Sequence, residues 1–372
     1  MESRLPCYNG EDMGRLLREM HQTVVPRLDN SNQDNALAQI SHAGAEEAAK
    51  LLEQGFEQQQ TRQFEAALQS FEEALKLYRK LPNQWGAGRA LGALGLTVYA
   101  LGDFQQVVEY ASKSLAIACE VKDLHLEGQL REILGNSYRH LGQPLKAIEQ
   151  GQQSLTIMRQ LGNQLGEVAA LNNLGLAYKA LGDLPRALAY QQQSLHVVQT
   201  LSNRQMEEQI LRNLSNVCYA LGNYAQAVEY YKQRLAIARE LGDYTLEGVI
   251  LRNLSNVCYA LGDYPQAIDY AQARLLNAQQ LGDRRSEEQS LGSLGVAYDA
   301  VGDYAQAIAY YEQRLSVARA IPDPRVEKQA LGSLRAACYA LGDYAKVIEY
   351  HEQGLAMCSG EEYPFIPKTL EQ

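Results

Sequence analysis

The sequence predicts an all-α solenoid, one array of paired helices repeated along the chain. Three observations predict it. The segment LRNLSNVCYALG at 211–222 recurs unchanged at 251–262, and related segments start at 91, 131, 171, 291 and 331. Every step is forty residues, without insertion or deletion, and a fixed period of roughly 20–50 residues marks a repeat architecture. Apolar residues fall at helical spacing, as at Ile210, Leu214, Val217 and Leu221. Finally, each such pattern stops at a glycine: Gly102, Gly142, Gly182, Gly222, Gly262, Gly302 and Gly342. The skew of 23 Tyr against 5 Phe and 1 Trp also fits one duplicated unit.

The elements follow in order. Residues 1–43 precede the array. Within them, 11–28 forms an amphipathic pattern with Leu16, Leu17, Met20 and Val24, ended by Pro26, and 29–43 is a polar linker. The 11–28 pattern suits either a cap over the first repeat or a partner-like segment folded back into the array, an autoinhibitory role. The array itself occupies 44–360 as eight units, the first of them a weaker copy beginning near 48. Each unit holds two helices. Glycine ends the first, since it enters the left-handed conformation without strain. Asp103, Asp183, Asn223, Asp263, Asp303 and Asp343 then stand as N-caps of the second. Pro185 and Pro265 fall in that helix's first turn, where a missing N–H does no harm. A further Leu-Gly-Asp at 241–243 and 281–283 ends the second helix and caps the next unit. The tail 361–372 contains two prolines and is expected to be extended.

The pattern Leu-Gly-x-x-Tyr with a small residue twelve after the glycine resembles the tetratricopeptide repeat. Gly135, Tyr138 and Ala147 carry it, as do Gly175, Tyr178 and Ala187, and Gly295, Tyr298 and Ala307. Forty-residue units ending in Leu-Gly-Asp resemble those of the Partner-of-Inscuteable/LGN family of spindle-orientation adaptors and, less closely, kinesin light chain. The resemblance implies a right-handed α-solenoid whose first helices line a concave groove. WD40 blades would need strand alternation and Trp-Asp motifs, and HEAT units fit the small-residue positions less well.

Charge narrows the function. Lys plus Arg is 34 and Asp plus Glu is 44, a net charge of −10. A chain this acidic lacks the basic footprint of a nucleic-acid or anionic-membrane binder. No run of apolar residues is long enough to span a membrane, and the N-terminus has no apolar secretory core. A cytoplasmic location is expected. Cys7, Cys119, Cys218, Cys258, Cys338 and Cys358 form no C-x-x-C pair, so reduced thiols are expected. No phosphate loop, nucleophile elbow, metal-ligand spacing or cofactor signature is present. The chain is read as a non-enzyme without cofactors.

Candidate binding residues come from one stripe of the first helices. Gln209, Arg212, Asn216 and Tyr219 share a face by spacings of three and four, and Val249, Arg252, Asn256 and Tyr259 repeat them. Asn213 and Asn253 flank this stripe. Earlier units contribute Glu132, Asn136 and Arg139, then Asn172, Leu176 and Lys179. Later ones contribute Gly292, Val296 and Asp299, then Gly332, Ala336 and Tyr339. Asparagine pairs with an exposed peptide backbone, arginine grips a carboxylate, and tyrosine supplies a rigid surface with a polar tip. Arginine with an asparagine four later also resembles the carboxylate-gripping arrangement of chaperone-binding tetratricopeptide domains, although the order differs. Arg139, Lys179, Arg212 and Arg252 make a basic track opposed there only by Glu132. The expectation is an adaptor that holds an extended, acidic peptide segment; the alternative is a sensor that binds a small ligand or signalling peptide and changes conformation.

Two recurrent sets are read as structural. Glu127, Glu167, Glu207, Glu247, Glu287 and Glu327 complement helix dipoles. Arg234, Arg274 and Arg314 stand thirteen residues before three of those glutamates and are expected to form inter-helix ion pairs.

Overall fold

The computed structural model describes residues 36–81 and 83–359, with side chains over 43–81 and 83–357. The 11–28 pattern and the tail 361–372 lie outside the described residues. Within them the chain is a succession of helical hairpins, grouped into two compact units that divide between Asn203 and Arg204.

The first unit contains four hairpins. They are α1 (Ala36–Gln60) with α2 (Phe64–Lys80), α3 (Gln84–Leu101) with α4 (Phe104–Glu120), α5 (Leu124–His140) with α6 (Pro144–Gln160), and α7 (Gln164–Leu181) with α8 (Leu184–Thr200). Helix α1 starts at Ala36, inside the stretch read as polar linker. The second unit contains α9 (Arg204–Ala220) with α10 (Tyr224–Glu240), α11 (Tyr244–Leu261) with α12 (Tyr264–Leu281), α13 (Arg284–Val301) with α14 (Tyr304–Arg319), and α15 (Pro324–Leu341) with α16 (Tyr344–Ser359). Inside each unit, every helix packs on the next one in the chain.

The forty-residue period sets the core. Leu94, Leu134, Leu174, Leu214, Leu254, Leu294 and Leu334 are all buried at one register position. Ala67, Ala147, Ala187, Ala227, Ala267 and Ala307 share one register position on the second helices, also buried. A small residue opposite a leucine lets the helices of a hairpin approach closely. Each buried leucine contributes about 1.5–3 kcal/mol of transfer free energy. Cys218 and Cys258 lie in the same core, and burial pushes their thiols up to about 11, so both are inert at neutral pH.

Turn chemistry ends the helices where the glycines stand. At Gly222 φ is 75°, its N–H bonds to Tyr219 O (3.0 Å), and the Asn223 N–H bonds to Cys218 O (2.9 Å). These paired bonds form a Schellman stop. The expected caps form at Asp103, Asp183, Asp263, Asp303 and Asp343, each accepting from the backbone N–H three residues on. Asn223 departs from the expectation and makes no side-chain cap bond. Ser202 (φ 52°) and Lys122 (φ 59°) hold the left-handed conformation at positions where other units use glycine. Ser202→Gly should therefore raise stability by about 0.5–1 kcal/mol, less than the full left-handed strain because glycine also frees the unfolded chain. A melting temperature that falls instead would show that the serine side chain holds this turn.

Candidate functional site

The stripe behaves differently in the two units, and one register position on the second helices differs between them as well. In the first unit that position is Ser114, Ser154 and Ser194. Their hydroxyls donate directly to the backbone carbonyls of Gly88 (2.6 Å), Gly128 (3.1 Å) and Val168 (3.0 Å). Each of these bonds lies within one hairpin, between its second and its first helix. Across hairpins, α5 touches both α3 and α7. The stripe is closed there. Asn136 is 1% exposed and donates through Nδ2 to Glu132 O (3.3 Å). Asn172 and Glu132 are buried too. The expectation that these residues line an accessible groove is corrected: their faces are covered by neighbouring first helices. Lys179 is exposed, and Arg139 is half-buried against His140 Nε2 (2.9 Å). Burial and that arginine push His140 down to about 4, so it stays neutral at pH 7.

In the second unit the same position is Arg234, Arg274 and Arg314. Arginine is far bulkier than serine, and here the stripe is open. Asn216, Tyr219, Arg252, Asn256, Tyr259, Val296, Ala336 and Tyr339 are exposed, while Arg212, Asn213 and Asn253 are half-buried. Tyr219 and Tyr259 are not loose: each ring leans on the opening tyrosine of the following helix, Tyr224 at 5.3 Å and Tyr264 at 5.4 Å. Asn216 Oδ1 accepts from the Tyr231 hydroxyl (3.2 Å). Asp299 is turned inward and accepts from the Tyr311 hydroxyl (2.8 Å), which removes its charge from the open stripe. The second unit thus brings together Arg252, Asn256 and Tyr259 with Val296, around a recess of about 380 Å³ between α11 and α13. Arg274 and Arg314 reach the same recess from α12 and α14.

The ion pairs differ from those expected. Arg234 Nε donates to Glu208 Oε1 (2.5 Å) and Arg314 Nε to Glu288 Oε1 (2.6 Å), each glutamate twenty-six residues earlier rather than thirteen later. The helix-start glutamates take other partners: Arg159 with Glu167, Arg239 with Glu247 and Arg319 with Glu327, at 2.7–2.8 Å. Arg274 breaks the series. Position 248 is glycine, so the glutamate that pairs with Arg234 and Arg314 has no counterpart here. Its NH2 donates to Gln289 Oε1 (2.8 Å), and its Nε has no acceptor, although the residue is only 4% exposed. Burial, with Arg252 close by, pushes the guanidinium down to about 10 against the opposing pull of Asp283 and Glu288; it is still a cation at pH 7. Sequence reasoning missed Arg274 and Gln289 as groove residues. The signal was present: aligning 234 with 208, 274 with 248 and 314 with 288 shows one missing acid.

A second recess lies between α10 and α12, lined by Lys232, Arg239, Asp269 and Tyr270. Its charges are of both signs. Among the described residues there is no cluster of metal-ligating side chains, and no helix is long and apolar enough to cross a membrane.

The family model of the tetratricopeptide repeat matches residues 46–120, 128–199, 206–278 and 251–320. The chain belongs to the tetratricopeptide repeat family. No curated protein matches it in sequence. Among solved structures this tetratricopeptide chain is similar to a signal transduction ATPase with numerous domains that carries a tetratricopeptide repeat sensor, from Pyrococcus horikoshii. That likeness has a TM-score of 0.58 at 14% identity and covers 94% of this chain and 53% of that one. The chain thus spans about half the length of that ATPase. It is also similar to the apo form of the quorum sensor NprR from B. thuringiensis, with a TM-score of 0.53 at 16% identity over 94% of this chain and 99% of that one. Aspartyl phosphate phosphatase F from Bacillus subtilis gives 0.52 at 16% identity, over 82% and 80%. At these identities the likeness is one of fold.

Proposed function

We propose that this tetratricopeptide protein is a non-enzymatic adaptor that binds an extended, acidic segment of another protein along the open stripe of its second unit. The observation that carries the reading is the exposed Arg252, Asn256 and Tyr259 stripe above a recess floored by arginine, within a chain of net charge −10. Asparagine pairs with the peptide backbone in either sense. Arg212 and Arg252 meet its carboxylates. The two tyrosines, already leaning on Tyr224 and Tyr264, lose little entropy on contact. The second reading, a sensor for a signalling peptide, draws on the shared fold with the quorum sensor NprR.

The test is selection of a displayed random-peptide library on the full chain, followed by calorimetry on the winners. Asp or Glu should dominate the selected segments. Arg212→Glu with Arg252→Glu should weaken binding at least about a hundredfold, from two charge-assisted contacts of about 1.5–3 kcal/mol each. Arg252→Glu alone should leave the melting temperature near the parent's, since exposed charge changes rarely exceed about 0.5 kcal/mol. Affinity should also fall as salt rises. Selected peptides without acids, or full affinity in the double variant, would sink the reading. A large compaction on binding one short peptide would favour the sensor over the adaptor.

A further inference from the structure

We propose that Arg274 is the anchor of the second-unit groove, a preformed site for one side-chain carboxylate of the bound segment, which fills the place that Glu208 and Glu288 fill for Arg234 and Arg314. The proposal rests on the groove reading above and names its specificity-determining residue.

The argument is a comparison of three equivalent positions in one chain. Arg234 and Arg314 each direct Nε at a glutamate Oε1, at 2.5 and 2.6 Å. Arg274 occupies the same place on α12 and is as deeply buried as Arg234, but residue 248 is glycine. A buried cation without a carboxylate in direct contact is costly; Asp283 and Glu288 act on Arg274 from nearby, but neither accepts from its Nε. Gln289 satisfies one NH2 and leaves the Nε edge bare. That edge is the one which, at the two sibling positions, receives a carboxylate.

The internal partner has been vacated by two changes together. A Cβ on Gly248 would stand 2.7 Å from Asn277 Oδ1. Asn277 is held there by its Nδ2 bond to Tyr244 O (3.0 Å), and the sibling positions carry Ile237 and Val317 instead. The asparagine therefore fills the space from which residue 248 would deliver an acid. A carboxylate in contact with Nε has to come from the recess, whose rim carries Arg252, Asn256 and Tyr259. Arg252 adds a second positive charge beside the first, which repels cations and draws an anion in. A carboxylate suits the site because it accepts side-on at Nε and can reach Arg252 with its other oxygen.

The test uses the full chain with four probes at matched ionic strength: capped tetra-glutamate, capped tetra-glutamine, a capped phosphoserine peptide and inorganic phosphate. Binding is read from the arginine Nε–Hε resonances of ¹⁵N-labelled protein and from melting temperature. Tetra-glutamate should move the Arg274 resonance saturably and raise the melting temperature; tetra-glutamine should do neither. Arg274→Met should abolish the response and itself raise the melting temperature, because an unpaired buried cation is gone. Arg314→Met should lower it, because Glu288 is stranded. Gly248→Glu with Asn277→Val rebuilds the pair seen at 288 and 317. It should weaken tetra-glutamate binding by about tenfold or more, the size of one charge-assisted hydrogen bond. If Arg274→Met fails to fold, Arg274→Lys, which keeps the charge and loses the Nε edge, should show the same loss. Tighter binding of phosphoserine or free phosphate than of tetra-glutamate would overturn the carboxylate assignment. Undiminished tetra-glutamate binding in Arg274→Met and Arg274→Lys, with loss in Arg252→Glu, would overturn the anchor and leave the groove standing. Persistence through all three would overturn both.

Discussion

Glu288→Ala lowers the stability of the second unit by about 3 kcal/mol or more. Glu288 is buried, and its carboxylate accepts from Arg314 Nε at 2.6 Å. Removing it strands a guanidinium that is largely out of water, and the penalty for an unpaired buried charge exceeds the worth of the pair itself. Ser333 Oγ, 3.2 Å from the Arg314 NH1, offsets only part of it. The check is chemical denaturation followed at the tyrosines, with Glu288→Ala and Arg314→Met combined as control. The double change should be milder than Glu288→Ala alone, because no charge is left behind. Equal effects of the single and double variants would mean that the pair is solvated in solution.

Leu214→Ala is the second large effect, at about 2–5 kcal/mol, since a fully buried leucine leaves a cavity that its neighbours refill only partly. Repeat stability is carried by each unit and its nearest neighbours, so the loss should spread to α9 and α10 before the rest of the second unit. Hydrogen exchange on the variant resolves this: fastest opening in those two helices supports the assigned core register, and an unaltered melting curve contradicts it.

Most of the fold was legible because the chain repeats its own instructions. The Leu214 register, the glycine stops and the aspartate caps are local signals, and duplication displays them many times over. Asn223 shows the limit: a residue of the right type at the right position makes no cap bond. The site was half legible. Arg252, Asn256 and Tyr259 lie on an open face as their spacing implies. Asn136 and Asn172 share that spacing and are buried, on helices α5 and α7 that pack against each other as well as within their hairpins. Spacing along one helix specifies a face; whether the face is open depends on how closely the neighbouring helices pack over it. Arg274 was hidden for a related reason. Its distinction is the absence of a partner twenty-six residues away, and an absence shows only once the partners of Arg234 and Arg314 are known.

The central claim is that the acidic segment lies on the first helices of the second unit rather than between the second helices. Site-specific photo-crosslinking tests it most directly. Benzoylphenylalanine replaces Asn256 in the open stripe in one protein, and Tyr270 in the recess between α10 and α12 in another; each is irradiated with the same acidic peptide. Crosslinking from position 256, competed away by unlabelled peptide and absent from position 270, is the result expected. Efficient crosslinking from position 270 with none from 256 would contradict it.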